Sequence, residues 1–299
     1  MKVIGIIPRG YCKGVVNAIR IAQETRKQYP DQAIYVLGML VHNKFVIEAL
    51  NKLDIITLDD ANHSRLELLD AIKTGIVIFS AHGVSQSVYH KAQSKGLITV
   101  DATCVDVKHT QEIILQYCRN GYQILYIGIK GHPEAEAVRD LHPNIHMIYQ
   151  EQDLCNLRLD DAKIMVTNQT TMNVNDLYSI HQIIQRHYAN PVILEEICPA
   201  TRIRQEAVLN LDQVDLCYIV GDPKSNNTRS LAKLAEQRAA KVRMIEHVRQ
   251  IDTKDLADVM TVAVTSGAST PNVLTDQVII FLNNYHPGMP LPEVATKLL

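Results

Sequence analysis

Absences narrow this sequence before any motif does. No apolar run approaches the ~18 residues that a membrane-spanning helix requires, so an integral membrane protein is not expected. The opening MKVIGIIPRG has too short an apolar run for a secretory signal, and no small-residue cleavage pattern. It reads as a first strand, and the chain is expected in the cytoplasm. There is no C-x-x-C pair of the kind that builds structural zinc sites. There is no G-x-x-x-x-G-K-[ST] and no G-x-G-x-x-G after the first strand, and so no nucleotide, flavin or nicotinamide fingerprint. An excess of positive charge is also missing: 30 Lys and Arg against 32 Asp and Glu leave a net charge of −2. A general nucleic-acid binder would carry a basic footprint instead. No Gly/Ser linker or low-complexity segment divides the 299 residues, a length that suits two or three units packed on one another.

What is present is six cysteines and 12 histidines. So few cysteines in a chain of this length do not form the disulfide framework of a short secreted domain. Three of them, Cys12 in IIPRGYCKGV, Cys104 in LITVDATCVDV and Cys198 in VILEEICPATR, follow strand-like runs at near-equal intervals of 92 and 94 residues. One cysteine per repeat of a three-fold repeated chain predicts a three-thiolate metal centre. Cys118 and Cys217 stand at apolar positions of a helix and a strand and read as buried small hydrophobes. Cys155 in EQDLCNLRL carries no signal beyond that base rate.

Strand-like runs (KVIGII, AIYVLGM, GIVIFSA, LITVDA, QILYIGI, KIMVTNQ, LCYIVGD, VMTVAVTS) alternate with helical patterns such as VVNAIRIAQETRKQY, DVKHTQEIILQYCRN and TRSLAKLAEQRAA. That alternation predicts α/β units with mainly parallel sheets, whose ligands lie beyond the carboxyl ends of the strands. Reading the strand ends exposes the repeat. Cys12 is followed by His42 and His82, Cys104 by His132 with Glu134 and then Thr170, and Cys198 by Ser225 with Asn227 and then Ser269. The first steps are 30, 28 and 27 residues and the second 40, 38 and 44. Expected boundaries are 1–97, 98–192 and 193–281, with a tail, 282–299, packing on the first unit.

Thiolates favour zinc, copper(I) or iron–sulfur clusters. Three isolated cysteines fit a cubane cluster with one iron left open to a substrate oxygen, unlike electron-transfer clusters closed by four. The histidines at strand ends and the hydroxyl and amide groups of Thr170, Ser225, Asn227 and Ser269, together with helix-start N–H groups, suit a phosphate or diphosphate. Gly83, Gly131, Gly221 and Gly267 would let backbone approach such a ligand. Glu134 beside the metal would be a proton donor if burial keeps it protonated. Glu136, two residues on, is expected to face solvent in a first helical turn.

PRGYCKGV, VHN, SAHGV, DATC, GHPE, NQTT, ICPAT followed by RQEAV, SNNT and TSGAS occur in that order through nearly the whole chain. Taken together they resemble the 4-hydroxy-3-methylbut-2-enyl diphosphate reductases, the last enzymes of the non-mevalonate isoprenoid pathway. The resemblance implies three pseudo-three-fold-related α/β domains, a trefoil, around one [4Fe-4S] cluster held by Cys12, Cys104 and Cys198. It implies a diphosphate held by His42, His82, His132, Ser225, Asn226, Asn227 and Ser269, with Thr170 and Glu134 at the reacting end. The substrate hydroxyl would ligate the open iron, Glu134 would deliver protons, and two electrons would expel water to leave an allyl species, giving isopentenyl or dimethylallyl diphosphate. A ferredoxin or flavodoxin is the implied electron donor; no nucleic-acid or membrane partner is expected. Asn226 stands where the family often has serine, and the tail is shorter than in many members.

Two rival readings remain at this level. A cysteine hydrolase would use Cys12 or Cys104 with one strand-end histidine, but it leaves two repeats idle. A sensor with a structural metal site needs no proton donor, so Glu134 separates it from an enzyme.

Overall fold

The expected strand runs all become strands. The computed structural model describes residues 1–159 and 163–295. Among them the strands are β1 (Lys2–Gly5), β2 (Ile34–Leu37), β3 (Ile55–Leu58), β4 (Ile76–Phe79), β5 (Ile98–Asp101), β6 (Gln123–Ile127), β7 (Ile145–Ile148), β8 (Ile164–Asn168), β9 (Val192–Ile193), β10 (Val214–Val220), β11 (Ala239–Ile245) and β12 (Thr261–Ser266). They form three four-stranded sheets in the orders β3-β2-β4-β5, β7-β6-β8-β9 and, read from the far edge, β11-β10-β12-β1. Every pairing is parallel. The α/β class with three sheets is therefore the observed architecture, and the three sheets share one strand order.

Each sheet ends on the strand that leads to a cysteine: β5 to Cys104, β9 to Cys198, β1 to Cys12. The expected segments 1–97 and 98–192 begin with β1 and β5, and the boundary between 192 and 193 falls within β9, whereas the hydrogen-bond register closes each sheet with these strands. Residues 98–101 pair with β4, β9 pairs with β8, and β1 pairs with β12 from the other end of the chain. The sheets thus run one strand out of phase with the segments read from the sequence. The chain clusters into two compact units, one of Met1–Val16, His42–Ala49 and Pro199–Leu299, the other of Asn17–Val41 and Leu50–Cys198.

Parallel strands need apolar cover on both faces, and β10 shows how the sequence supplies it. Leu216, Tyr218 and Val220 point into a core shared with Leu274, Val278 and Phe281 of the helix Asn272–Asn284. The alternate residues Cys217 and Ile219 face Leu231 and Leu234 of the helix Asn226–Ala235 and Val208. Cys217 is completely buried there, as is Cys118 to within 5% in the core of the sheet that contains β6. Both are the small hydrophobes the sequence suggests, while Cys155 is exposed.

The C-terminal tail folds back onto the apolar core. Tyr285, Met289, Leu291 and Val294 pack on the core of the C-terminal sheet, around Leu216 and Phe281. The Gln277 side chain donates to the Glu293 carbonyl at 3.1 Å and accepts from the Ala295 N–H at 3.0 Å. The tail therefore covers its own preceding helix and a core that also takes in Val3 and Phe45 of the segment 1–97; residues 296–299 lie outside the described part. No helix among the described residues is long and apolar enough to cross a membrane.

Candidate active site

The same local device holds each of the three repeat cysteines. Each is the last residue before a helix: Cys12 before Lys13–Gln28, Cys104 before Val105–Arg119, Cys198 before Pro199–Leu209. The backbone N–H of each donates to a carbonyl just past the neighbouring strand: Cys12 to Ala268 at 3.0 Å, Cys104 to Ala81 at 2.9 Å, Cys198 to Thr170 at 3.0 Å. All three thiols are half-buried and none is in a disulfide. A sulfur at a helix start faces first-turn N–H groups that suit an anionic ligand atom, and the Val15 N–H lies 3.5 Å from Cys12 Sγ. Partly buried sulfur donors held on rigid turns fit a thiophilic iron centre.

In the unit that contains Leu50–Cys198, the loop after β6 and the loop after β8 converge on Glu134. Its carboxyl is 2% exposed. Oε1 accepts from the Thr170 N–H at 2.7 Å and more distantly from the Tyr126 hydroxyl at 3.4 Å; Oε2 accepts from Thr170 Oγ1 at 2.9 Å. Burial pushes its pKa up from 4.5 to about 7, and the bonds from Thr170 and Tyr126 only partly offset this. Burial and the adjacent Glu134 push the Tyr126 phenol well above its ordinary range, so it remains a donor. Glu136, by contrast, is exposed and sits near Arg139 at 3.5 Å. The contrast follows from helix geometry: two positions apart on Pro133–Arg139, the side chains take different faces.

His132 caps that helix, its Nδ1 accepting the Glu134 N–H at 3.2 Å. An accepting Nδ1 leaves the proton on Nε2, so the ring presents a donor on its other side. The His82 ring stands edge-on to it, with centroids 5.5 Å apart. Sequence proximity of His132 to Glu134 thus becomes one compact acid and donor cluster, with Thr170 brought in from 36 residues away.

In the other unit, Ser225 caps the helix Asn226–Ala235 by accepting the Thr228 N–H at 3.4 Å, which leaves its hydroxyl proton to donate. Asn227 is 3% exposed, and neither amide atom has a hydrogen-bond partner among the described residues. An unsatisfied buried amide is costly, and its free donor suits an anionic ligand. Asn226 lies beside it at 6% exposure. Ser269 Oγ donates to the His42 carbonyl at 2.9 Å, so its single proton must swing away before it can serve a phosphate. His42 is half-buried in the segment 42–49, which belongs to this unit; the Lys44 N–H on Asp222 Oδ2 at 3.2 Å fastens the segment there.

Residues 3–283 match the family described as LytB protein. A relative from Bacillus cytotoxicus, named 4-hydroxy-3-methylbut-2-enyl diphosphate reductase, is 47% identical over 295 residues, covering 97% of this chain and 93% of its own. A protein of the same name from Geobacillus kaustophilus is 45% identical over 315 residues, 99% of both chains. The chain belongs to the LytB family. Among solved structures, the E-1-hydroxy-2-methyl-but-2-enyl-4-diphosphate reductase from Plasmodium falciparum superposes with a TM-score of 0.87 at 29% identity, covering 98% of this chain and 95% of that one. Membership in the LytB family implies an iron–sulfur cofactor.

Two residues that hold these LytB features, Tyr126 and Arg204, gave little signal in the sequence. Tyr126 lies inside a strand, where an aromatic reads as core. Arg204, 4% exposed, donates to the Gly10 carbonyl at 2.8 Å, two residues before Cys12; a basic residue at a core position of the helix Pro199–Leu209 was the available clue. Gly221 and Gly267, expected to let backbone approach a ligand, make room for Thr228, because a Cβ at them would come within 2.6 and 2.3 Å of its Oγ1.

Proposed function

We propose that this chain carries out the two-electron reductive dehydration of 4-hydroxy-3-methylbut-2-enyl diphosphate to isopentenyl and dimethylallyl diphosphate. The reaction takes two electrons and two protons and releases water. Similarity to reductases of that name along nearly the full chain supports the substrate, and the buried carboxyl of Glu134 carries the chemical reading.

Cys12, Cys104 and Cys198 are the residues we assign to hold one [4Fe-4S] cluster. When bound, such a cluster with three thiolate ligands supplies electrons and an open Lewis-acidic iron for the substrate hydroxyl. Their half-buried sulfurs, each fixed by the same backbone bond, fit that role.

The chain's own residues do the rest. His42, His82, His132, Ser225, Asn226, Asn227 and Ser269 bind the diphosphate, with His132 donating through Nε2, Ser225 through its remaining proton, and Asn227 through its unpaired amide. Glu134 holds a proton at neutral pH because burial disfavours its anion, and it is the group we assign to deliver protons. Thr170 orients it from both sides, one bond to each carboxyl oxygen. An external ferredoxin or flavodoxin completes the reaction as donor, and a cytoplasmic location fits free thiols.

The test is an anaerobic preparation followed for broad iron–sulfur absorption, iron content and substrate-dependent oxidation of a reduced dye. Glu134→Gln should abolish turnover while leaving absorption and diphosphate binding largely intact. An iron-free, colourless protein after anaerobic reconstitution would sink the assignment.

A further inference from the structure

His82 sits in a tight turn that follows β4. The Gly83 N–H donates to the Ser80 carbonyl at 3.1 Å, and Gly83 takes a φ of +79° to close the loop. Across this turn lies Arg65, the first residue of the short helix Arg65–Leu68, whose start is fixed by the reciprocal bonds of Ser64 and Glu67. Nη1 of Arg65 donates to the Gly83 carbonyl at 2.6 Å, and Nη2 donates to Ser80 Oγ at 3.1 Å. The two ends of the His82 turn are therefore bridged by one planar guanidinium.

Room has been made for it. Gly38 has a φ of +76°, and a Cβ there would come within 2.9 Å of Arg65 Nη2 and 3.1 Å of Nε. No carboxylate among the described residues is within ion-pairing distance of Arg65; Asp59 and Glu136 act on it only at longer range. Burial lowers its pKa to about 10, which leaves it charged at neutral pH. Arg65 is half-buried, and its guanidinium is spent on the turn instead of on an ion pair. What the fork does that an apolar chain cannot is hold Ser80 and Gly83 at a fixed separation, with His82 between them.

We propose that Arg65 is a positioning residue that sets the His82 imidazole for the diphosphate. This rests on the reading that His82 binds the diphosphate. The hydrogen bonds of Arg65 among the described residues go to turn atoms, so its effect has to pass through His82.

The experiment uses cluster-loaded protein and inorganic diphosphate as the titrant, with KM and kcat for the full substrate measured alongside. Arg65→Met should weaken diphosphate binding about tenfold and raise KM similarly, while kcat, iron content and visible absorption stay near those of the unsubstituted protein. Arg65→Lys keeps the charge and one donor but cannot fork, so it should recover only part of the loss. The deciding arm is the double variant Arg65→Met with His82→Ala. If Arg65 works through His82, the pair binds no more weakly than His82→Ala alone, because a contact already removed cannot be lost twice. Fully additive losses, or unchanged binding in Arg65→Met, would overturn the proposal and leave the functional reading standing. Failure of the unsubstituted, iron-loaded protein to bind diphosphate would overturn both. Should Arg65→Met not fold, Ser80→Ala removes one prong of the same fork. It should give a smaller loss in the same direction, again absent in the His82→Ala background.

Discussion

Replacing Glu134 by glutamine tests the electrostatics of the acid independently of turnover. The carboxyl has a pKa of about 7 in the folded chain against an ordinary 4.5, with burial as the leading cause. An acid whose folded pKa is raised contributes stability that is fully present below its unfolded pKa and is lost as pH rises through the folded one. A pKa difference of one between the folded and unfolded chain is worth about 1.4 kcal/mol, so the full span is on the order of 3 kcal/mol. Between pH 5 and pH 8 the expected loss is about 2–3 kcal/mol. Glutamine cannot ionise, so that part of the pH dependence should vanish.

The substitution also fits the site. In the protonated acid, Oε1 accepts from the Thr170 N–H and the Tyr126 hydroxyl, and the acidic proton on Oε2 can turn toward Thr170 Oγ1, which then accepts. A glutamine placed the same way accepts at Oε1 and donates from Nε2 to Thr170 Oγ1, so no buried group loses its partner. The urea midpoint of Glu134→Gln should therefore match that of the unsubstituted protein at pH 5 and exceed it at pH 8. Infrared difference spectra between the two proteins should show a protonated-carboxyl band that fades near pH 7. A band that fades near pH 4.5, or a midpoint difference that does not grow with pH, would refute the burial argument.

The same acid sets the rate: if Glu134 delivers protons, kcat should fall as pH rises through about 7, and a flat profile to pH 9 would argue for another donor. Tyr126→Phe removes a bond that favours the carboxylate, so the falling limb of that profile should move upward by less than about one pH unit. Gly10→Ala places a Cβ 1.8 Å from Asn272 Oδ1, the acceptor of the Tyr11 N–H. Iron content after anaerobic reconstitution should drop severalfold because the turn carrying Cys12 must shift. Gly267→Ala drives a Cβ into the fully buried Thr228; it should weaken inorganic diphosphate binding with little change in iron content, since the strain falls on the helix start at Ser225–Asn227.

The α/β class and nine of the twelve described strands were legible because their runs are dense in Val, Ile and Leu, and the six inner ones are buried at nearly every position. The strands without a sequence signal are β3, β7 and β11, and they share one place, the far edge of each sheet. Burial there is partial; Arg243 and Met244 of β11, for example, are exposed. An edge strand facing solvent has no need of a continuous apolar run, and charge on it blocks pairing with another chain. The helical pattern TRSLAKLAEQRAA runs on into β11 for this reason: Ala235 ends the helix, and the next apolar residues, Ala239 and Ala240, belong to the strand.

The phase of the repeat was the harder matter, and its cause is topological. A cysteine that follows a strand and precedes a helix looks, along the chain, like the opening of a unit. In the sheets it is a closing element, because its N–H bonds to the loop of the strand beside it: Cys104 to Ala81, next to His82, and Cys198 to Thr170 itself. Cys12 obeys the same rule only if the chain's first strand completes the sheet of its last, which β1 does by pairing with β12. Local periodicity carries no information on which neighbour a strand will choose, so spacing alone could find the three cysteines and not their partners. The pairing ties each cysteine to a particular polar loop: Ala268 next to Ser269, Ala81 next to His82, and Thr170. A thiol-bearing turn and the adjacent donor loop are thus one hydrogen-bonded unit in all three cases, and a displacement of either must be felt by the other.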